Sequence, residues 1–412
     1  MKTVNTAHQK AWGYLEQCLI DKGLEPDLML RMVGQIDIAI PSWALGTGGT
    51  RFGRFGCGGE PRTLAEKLND VAVLNRLTRC AGSISLHIPW DKPSHVDDIR
   101  DYAQHLGIRI GSVNSNTFQD LGEAHSYKFG SLSHVNRMVR EQAVAHNMEV
   151  VEIGKALGAE TLSLWLADGS SYPGQDDFMG RLDRIKNSLR EIYDCLPDNW
   201  QMLIEYKPFE PHFYSMCIPD WGTAWLLARE CGPRALVLVD LGHHLPNTNI
   251  AQIVATLLWK GALGGFHFND SKYADDDLTV GCLRPYDLYL IFCELTKENT
   301  WSTQKRNWMI DASHNLKDPL EDLIQSIENI QIALAKSLCL DRKKLALAQE
   351  HNDIALCEQV LLDAYLTDMR PLVAEARLRS GGMANPLSSF RDERIREKLI
   401  GERGSQSKAS GL

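Results

Sequence analysis

ALVLVDLGH, residues 235–243, runs five apolar residues into an aspartate and follows it three positions later with a histidine. A strand this apolar has no face for water, which suits a parallel sheet covered on both sides. Taken alone, Asp240 and His243 are what many strands leave behind: a turn at Gly242, with polar residues meeting solvent. The stretch decides the fold because it is one of a series.

The other members are QIDIAIP (35–41), SISLHIP (83–89), IRIGSVN (108–114), ETLSLWLA (160–167), WQMLIEYKP (200–208), GGFHFND (264–270) and NWMIDAS (307–313). Longer segments with helical spacing lie between them, such as TLAEKLNDVAVLNRLTRC (63–80) and FMGRLDRIKNSLREIYDCL (178–196). Several such segments end in glycine, as helix C-termini do. Eight strands alternating with helices predict a (β/α)8 barrel, an α/β fold. The competing doubly wound sheet needs a phosphate-binding turn after its first strand. GTGGTRFGRFGCGGEP (46–61) fits neither G-x-G-x-x-G nor the P-loop pattern, so it reads as a flexible loop over a site.

The division expected is an N-terminal helical segment (1–33), a barrel (34–345) and a C-terminal helical extension with a charged tail (346–412). The last eight or so residues are too polar to bury a core and read as disordered. No solenoid repeat is visible. The net charge of −9 argues against a nucleic-acid partner, which wants a basic stripe. No apolar run approaches the roughly 18 residues of a membrane span, and MKTVNTAHQK has no secretory core. Ten scattered cysteines without a C-x-x-C pair suit idle thiols in a reducing cytoplasm.

In such a barrel, chemistry sits at the C-terminal ends of the strands. The second strand ends with His87 and the third with Asn114 and Asn116; the fifth carries Glu205 and Lys207. The sixth brings Asp240 and His243, and the seventh His267 and Asp270, with Asp275, Asp276 and Asp277 just beyond. The eighth ends at Asp311. Each has an ordinary reading: a strand-end Asp caps a helix, an acidic run faces water, and a histidine among β-formers sits satisfied in a core. Gathered on one rim, however, so many carboxylates repel and cannot all stay ionised. Divalent cations resolve that conflict. Oxygen donors with a few imidazoles suit Mn²⁺, Co²⁺ or Mg²⁺ and admit Zn²⁺. Trp43, Phe52, Trp90 and Trp165 also lie at or beyond strand ends, either to cover sugar faces or simply to fill the rim.

E-x-K on the fifth strand, D-x-x-H on the sixth, His267 followed by Asp275-x-Asp277, and Asp311 on the eighth resemble the xylose-isomerase-like TIM barrels. IPSWALGTGGTRFGRF, SLHIPWD, VNSNTFQD, LWLADGSSYPGQ, IEYKPFEPHFY, DLGHHLPNTNIAQIVA, GFHFNDSKYADDDL and MIDASHN resemble the L-rhamnose isomerases of pseudomonad type. The resemblance runs from about Met32 to Asn385. It implies a structural cation held by Glu205, Asp240, His267 and Asp311. A second, catalytic cation is implied near His243, Asp275 and Asp277, sharing Asp240 or Glu205; Asp276 in place of Asp277 stays open. His267 stands where xylose isomerases carry a carboxylate, in agreement with the rhamnose-isomerase side. From the donor set Mn²⁺ is the first expectation, with Co²⁺, Mg²⁺ or Zn²⁺ open; the resemblance further implies a homotetramer in which the Phe52 loop reaches a neighbouring pocket. His244 reads as structural.

The activity implied is interconversion of L-rhamnose and L-rhamnulose, with broad aldose and ketose specificity. Two cations polarise both oxygens of the open-chain sugar and acidify a water that shuttles the hydroxyl proton. Lys207 is suited to a substrate oxygen, although a simple salt bridge is the alternative. His87 is suited to the ring oxygen as acid or base, or to a structural role. With the carboxylates and imidazoles committed to cations, no base remains for the carbon, which favours a hydride shift from C2 to C1. The rivals are a ketose 3-epimerase, a xylose-type isomerase, a metal-dependent nuclease and a non-catalytic sugar-binding barrel.

Overall fold

The computed structural model describes residues 2–45, 55–273, 275–297, 305–312 and 316–406. The strands are β1 (Ala39–Pro41), β2 (Ser83–Ile88), β3 (Arg109–Ser115), β4 (Thr161–Leu164), β5 (Gln201–Glu205), β6 (Ala235–Asp240), β7 (Leu263–Phe268) and β8 (Asn307–Ile310). All pair in parallel, each with its neighbour in sequence, and β1 pairs with β8 to close the barrel. A short antiparallel pair, Gly169–Ser170 with Ser215–Met216, stands outside it.

The helices after successive strands are α3 (Leu64–Thr78), α4 (Val96–Leu106), α5 (Arg137–Leu157), α6 (Phe178–Asp194), α7 (Trp221–Cys231), α8 (Ile250–Trp259), α9 (Pro285–Leu295) and α10 (Pro319–Leu338). They follow α1 (Lys2–Asp21) and α2 (Pro26–Gly34). Polar side chains start many of them: Thr63, Asn136, Asp177, Asp220, Asn249 and Asp318 each accept from a first-turn backbone N–H. This is the α/β barrel expected from the alternation.

Strand periodicity sorts side chains between two buried environments. Met202, Ile204, Val237, Val239, Phe266 and Phe268 join the core between sheet and helices. Their alternates Leu203, Leu238 and Met309 are also buried but lie outside that cluster, toward the barrel axis. The ladder between β6 and β7 slips at Gly264, after which Asp240 pairs directly with His267. Next to it, a Cβ on Gly265 would sit 2.1 Å from the Asn307 carbonyl oxygen, so only glycine lets β7 approach β8 this closely.

Several strands are shorter than their sequence signals. QIDIAIP contributes only its last three residues, because Asp37 turns its carboxylate to Gly82 N (2.9 Å), the Ser83 hydroxyl (2.8 Å) and Arg109. WQMLIEYKP leaves the ladder at Glu205, and Lys207 N donates instead to Ile218 O at 3.0 Å.

Beyond the barrel the chain stays helical, through α11 (Arg342–Glu350), α12 (Ile354–Leu366), α13 (Arg370–Arg379), α14 (Pro386–Asp392) and α15 (Ile395–Arg403). Much of the charged tail is therefore ordered helix, with Ile395 and Leu399 buried. Of the final residues expected to be disordered, those after 406 lie outside the described residues. The cysteines are free thiols. Among the described residues, no helix is long and apolar enough to cross a membrane.

Candidate functional site

At the C-terminal ends of β5, β6, β7 and the residue after β8, Glu205, Asp240, His267 and Asp311 bring one donor atom each to within 4.8 Å of one another. His267 Nδ1 is the hub, 3.2 Å from Glu205 Oε1, 3.6 Å from Asp240 Oδ2 and 3.4 Å from Asp311 Oδ2. Adjacent strands in register explain why: Asp240 and His267 are direct ladder partners. A second group, Asp240, His243 and Asp275, meets the same distance limit and shares Asp240 with the first. His243 Nδ1 lies 3.1 Å from Glu205 Oε1, and its Nε2 3.3 Å from Asp275 Oδ2.

Of the acidic run, Asp277 contacts Asp275 and feels Asp311, yet it is in neither four- nor three-residue group. It adopts a left-handed backbone (φ 50°), which costs a non-glycine residue free energy and is found where surrounding structure enforces it. Asp276 turns away and accepts from Lys272 N and Tyr273 N. Asp270 likewise serves its own loop, accepting from Leu283 N (2.7 Å) and Arg284 N (2.9 Å).

Electrostatics follow from packing carboxylates together with too little compensating charge. Burial penalises the Glu205 anion, but His267 and His243 more than offset this and hold it down to about 2. Burial likewise opposes charging of His267, yet Glu205, Asp240 and Asp311 raise it to about 10. His243 is raised well above its ordinary value against burial, by Asp240 and Asp275. Burial drives Asp311 up to about 7; Asp240 and Glu205 add to this and His267 subtracts. Asp277 is also pushed well above the carboxylate range, by burial and then by Asp275. Without a further cation, the cluster must therefore take up protons to relieve its own repulsion.

Buried His243 Nδ1, His267 Nε2 and Asn269 Oδ1 have no hydrogen-bond partner, although His243 Nδ1 sits near a carboxylate. Imidazole nitrogens set among carboxylate oxygens, His267 Nδ1 in the first group and His243 Nε2 beside Asp275 in the second, are a donor set that suits a hard or borderline divalent cation in each group.

The opposite wall is aromatic. His87 stacks on Trp90 (centroids 4.2 Å apart) and meets Trp43 edge-on at 5.6 Å and Phe118 at 5.5 Å. Phe118 in turn meets Trp165 at 5.0 Å. The two walls join at both ends. Trp43 Nε1 donates to Asp311 Oδ1 at 2.9 Å. Across the barrel, Lys207 Nζ lies 5.2 Å from the Trp165 ring centroid and 2.5 Å from Asp275 Oδ2. Contacts therefore run in a closed circuit: Trp43, His87, Phe118, Trp165, Lys207, Asp275, His243, Glu205, His267, Asp311 and back to Trp43.

Asp91 fixes the aromatic side by accepting from His87 N (2.8 Å), Lys67 Nζ (2.7 Å) and the Ser42 hydroxyl. Burial holds His87 down to about 4, so its imidazole is neutral near pH 7. His244 bonds Tyr206 OH at 2.7 Å, away from the clusters.

Phe52 lies outside the described residues. Three contributors were not singled out by sequence reasoning. Phe118 completes the aromatic wall, Glu210 grips Lys207, and Asn269 Nδ2 donates to Asp240 Oδ1 at 2.9 Å and Asp311 O at 3.3 Å. All lie in loops past strand ends, where a two-residue period no longer assigns a face; the Glu210 carboxylate three residues after Lys207 was the one available signal.

Comparisons with known proteins agree with this architecture. Residues 79–311 match the family described as xylose isomerase-like TIM barrel. A probable sugar isomerase of Rhizobium meliloti (strain 1021) is 46% identical, over 95% of this chain and 92% of that protein. Another, from Mesorhizobium japonicum (strain LMG 29417 / CECT 9101 / MAFF 303099), is 44% identical over 98% of this chain and 94% of that one. A solved L-ribulose 3-epimerase superposes with a TM-score of 0.54 over 76% of this chain and 98% of its own; at 13% identity the likeness is one of fold. The chain belongs to the xylose isomerase-like TIM barrel family.

Proposed function

We propose that this chain is a divalent-cation-dependent aldose–ketose isomerase that interconverts L-rhamnose and L-rhamnulose and accepts other aldose–ketose pairs. The observation that carries the reading is the closed circuit of side chains, with carboxylates and imidazoles along one arc, aromatic rings with His87 along the other, and Lys207 between them. An open-chain sugar offers both kinds of surface, vicinal oxygens at C1 and C2 for the polar arc and C–H groups, with the methyl of a 6-deoxy sugar, for the aromatic one. Glu205, Asp240, His267 and Asp311 would hold one cation, and Asp240, His243 and Asp275, with Asp277 beside them, the second. Bound there, Mn²⁺ (or Co²⁺, Mg²⁺ or Zn²⁺) supplies Lewis acidity to the sugar oxygens at C1 and C2.

The protein's own groups do the rest. Lys207, held by Asp275 and Glu210, presents its ammonium to a substrate oxygen that gains negative charge. Neutral His87 has an unpaired Nδ1 and can exchange a proton with the ring oxygen as the pyranose opens. Trp43, Trp165 and Phe118 cover the apolar face, including a 6-methyl group, and keep water from C1 and C2. In this reading Phe52 is a further substrate contact, contributed to a neighbouring subunit's pocket. Carboxylates engaged with cations and imidazoles are poor bases toward carbon. The hydrogen is therefore taken to move with its electron pair: the C2–H bond breaks, C1–H forms, the C2 hydroxyl gives up its proton, and the C1 carbonyl oxygen accepts one.

The oligomer in this reading is a homotetramer using the C-terminal helices. The support is apolar exposure there, at Leu347 (56%), Ile354 (72%) and Leu366 (74%).

Running the isomerisation in D₂O tests the reading. Little deuterium at C1 of the aldose–ketose product is expected. Incorporation at C1 at a rate matching turnover contradicts the hydride shift, whereas exchange at C3 of a ketose, with its C3 epimer as product, makes the protein a 3-epimerase.

A further inference from the structure

Three successive connections leave the barrel rim after β3, β4 and β5, and they bear Phe118, Trp165 and Lys207 of the circuit. They meet at Asp168, three residues past Trp165. Its buried carboxylate accepts four hydrogen bonds from the β3 connection. Ser131 Oγ (2.7 Å) donates to Oδ1, and Ser131 N (2.8 Å), Ser133 N (3.0 Å) and Ser133 Oγ (2.6 Å) donate to Oδ2. The Asp168 carbonyl oxygen accepts from Cys217 N at 3.0 Å in the β5 connection, next to the Ile218 carbonyl that holds Lys207 N.

The β3 connection is shaped for this contact. Gly130 is left-handed (φ 108°), and a Cβ there would lie 2.7 Å from Ser133 Oγ and 3.2 Å from Asp168 Oδ2, where the hydrogen bonds run. From Ser131 the link continues toward the site. Its hydroxyl lies 3.2 Å from Thr117 Oγ1, and both residues are buried. A hydroxyl has one proton and a carboxylate only accepts, so Ser131 gives its proton to Asp168 and accepts one from Thr117. Thr117 directly precedes Phe118, whose ring meets Trp165 at 5.0 Å. Asp168 thus reaches one ring through its own segment and the other through two hydroxyls.

We propose that Asp168 is a positioning residue that holds Phe118 against Trp165, and so sets how closely the aromatic wall fits the methyl end of a 6-deoxy sugar. This rests on the reading of that wall as the surface that covers the sugar's apolar face. Lys207 is fixed by backbone bonds that do not involve the Asp168 side chain, and the cation groups lie apart from it, so substrate binding responds and turnover does not.

The test is steady-state kinetics of the Mn²⁺-loaded full chain with L-rhamnose and with L-lyxose, the same sugar without C6. The variants are Thr117→Val, Asp168→Ala and the double. Each single variant is expected to raise KM for L-rhamnose on the order of fivefold, a part of the roughly 10-fold or more that a methyl group in a fitted pocket is worth, while kcat and the KM for L-lyxose stay within about twofold of the parent. The double should lose no more than Asp168→Ala, because both changes cut one link. Ser188→Ala is the control. It removes a buried hydroxyl bond to Leu132 O (2.9 Å) that ties the same loop to α6 off the link, and should keep both KM values at the parent's. If Asp168→Ala does not fold by circular dichroism, Ser131→Ala, which keeps the carboxylate and both backbone bonds to it, takes its place. Parent-like KM for L-rhamnose in both single variants overturns the proposal. So does an equal rise for L-lyxose, a loss confined to kcat, a matching rise in Ser188→Ala, or additivity in the double variant. A parent that turns over neither aldose overturns this proposal and the isomerase reading together.

Discussion

Asp311 and His243 stand in different halves of the acidic wall, and replacing them separates two roles. Asp311→Asn removes a donor from the group centred on His267, so it should cost more than the roughly 10- to 100-fold in affinity typical of losing an outer partner. His243→Asn should spare that group and lower turnover instead. Metal analysis with both variants retaining two tightly bound cations contradicts the division. Lys207→Ala removes the ammonium between Glu210 and Asp275 and should lower kcat by about 10²-fold or more; a change confined to KM contradicts its proposed role. His87 gives a pH prediction. Its folded value near 4 lies below the ordinary 6.5, so the unfolded chain protonates first as the pH falls. The stability this contributes is complete above pH 6.5 and lost progressively down to pH 4, to an extent on the order of 3 kcal/mol. Denaturant titrations of the parent and His87→Phe across that window should show a shallower pH slope in the variant; parallel slopes contradict it.

Among the elements, β7 carries the most constraint. Gly265→Ala puts a methyl group into the Asn307 backbone and must push β8 away, at a cost on the order of 3 kcal/mol. Near-parent stability in urea would show that the two strands do not meet as described. The same strand illustrates what sequence reveals and what it conceals. GFHFND displays its alternation, so His267 is legible as a residue facing away from Phe266 and Phe268. The slip at Gly264 that pairs it with Asp240 is not, because register depends on both strands at once. β1 is overestimated by the same logic, since QIDIAIP has strand composition throughout while Asp37 is recruited by Gly82 and Ser83. Helix α15 reads as a solvated charged tail until Asp70 and Asp318, 333 and 78 residues before their partners, are seen to take up Arg403 and Arg396.

At the scale of the molecule, the barrel is legible because eight strand–helix alternations leave few ways to bury the strands. Its rim chemistry is legible for a related reason: strand ends are where the fold delivers side chains to a common axis. The aromatic wall is less so, since Phe118 reaches His87 and Trp165 only through the path of the loop after β3. The joining of both walls makes the cluster a property of the whole barrel, with side chains on or just past all eight strands linked in one circuit of contacts. The most direct measurement is L-rhamnose conversion by exhaustively metal-stripped protein before and after adding Mn²⁺, with the product identified by NMR. Activity that vanishes on stripping, returns with Mn²⁺ and yields L-rhamnulose is the expected result. Full activity without metal, or no ketose formed from L-rhamnose or any other aldose after reconstitution, contradicts the assignment.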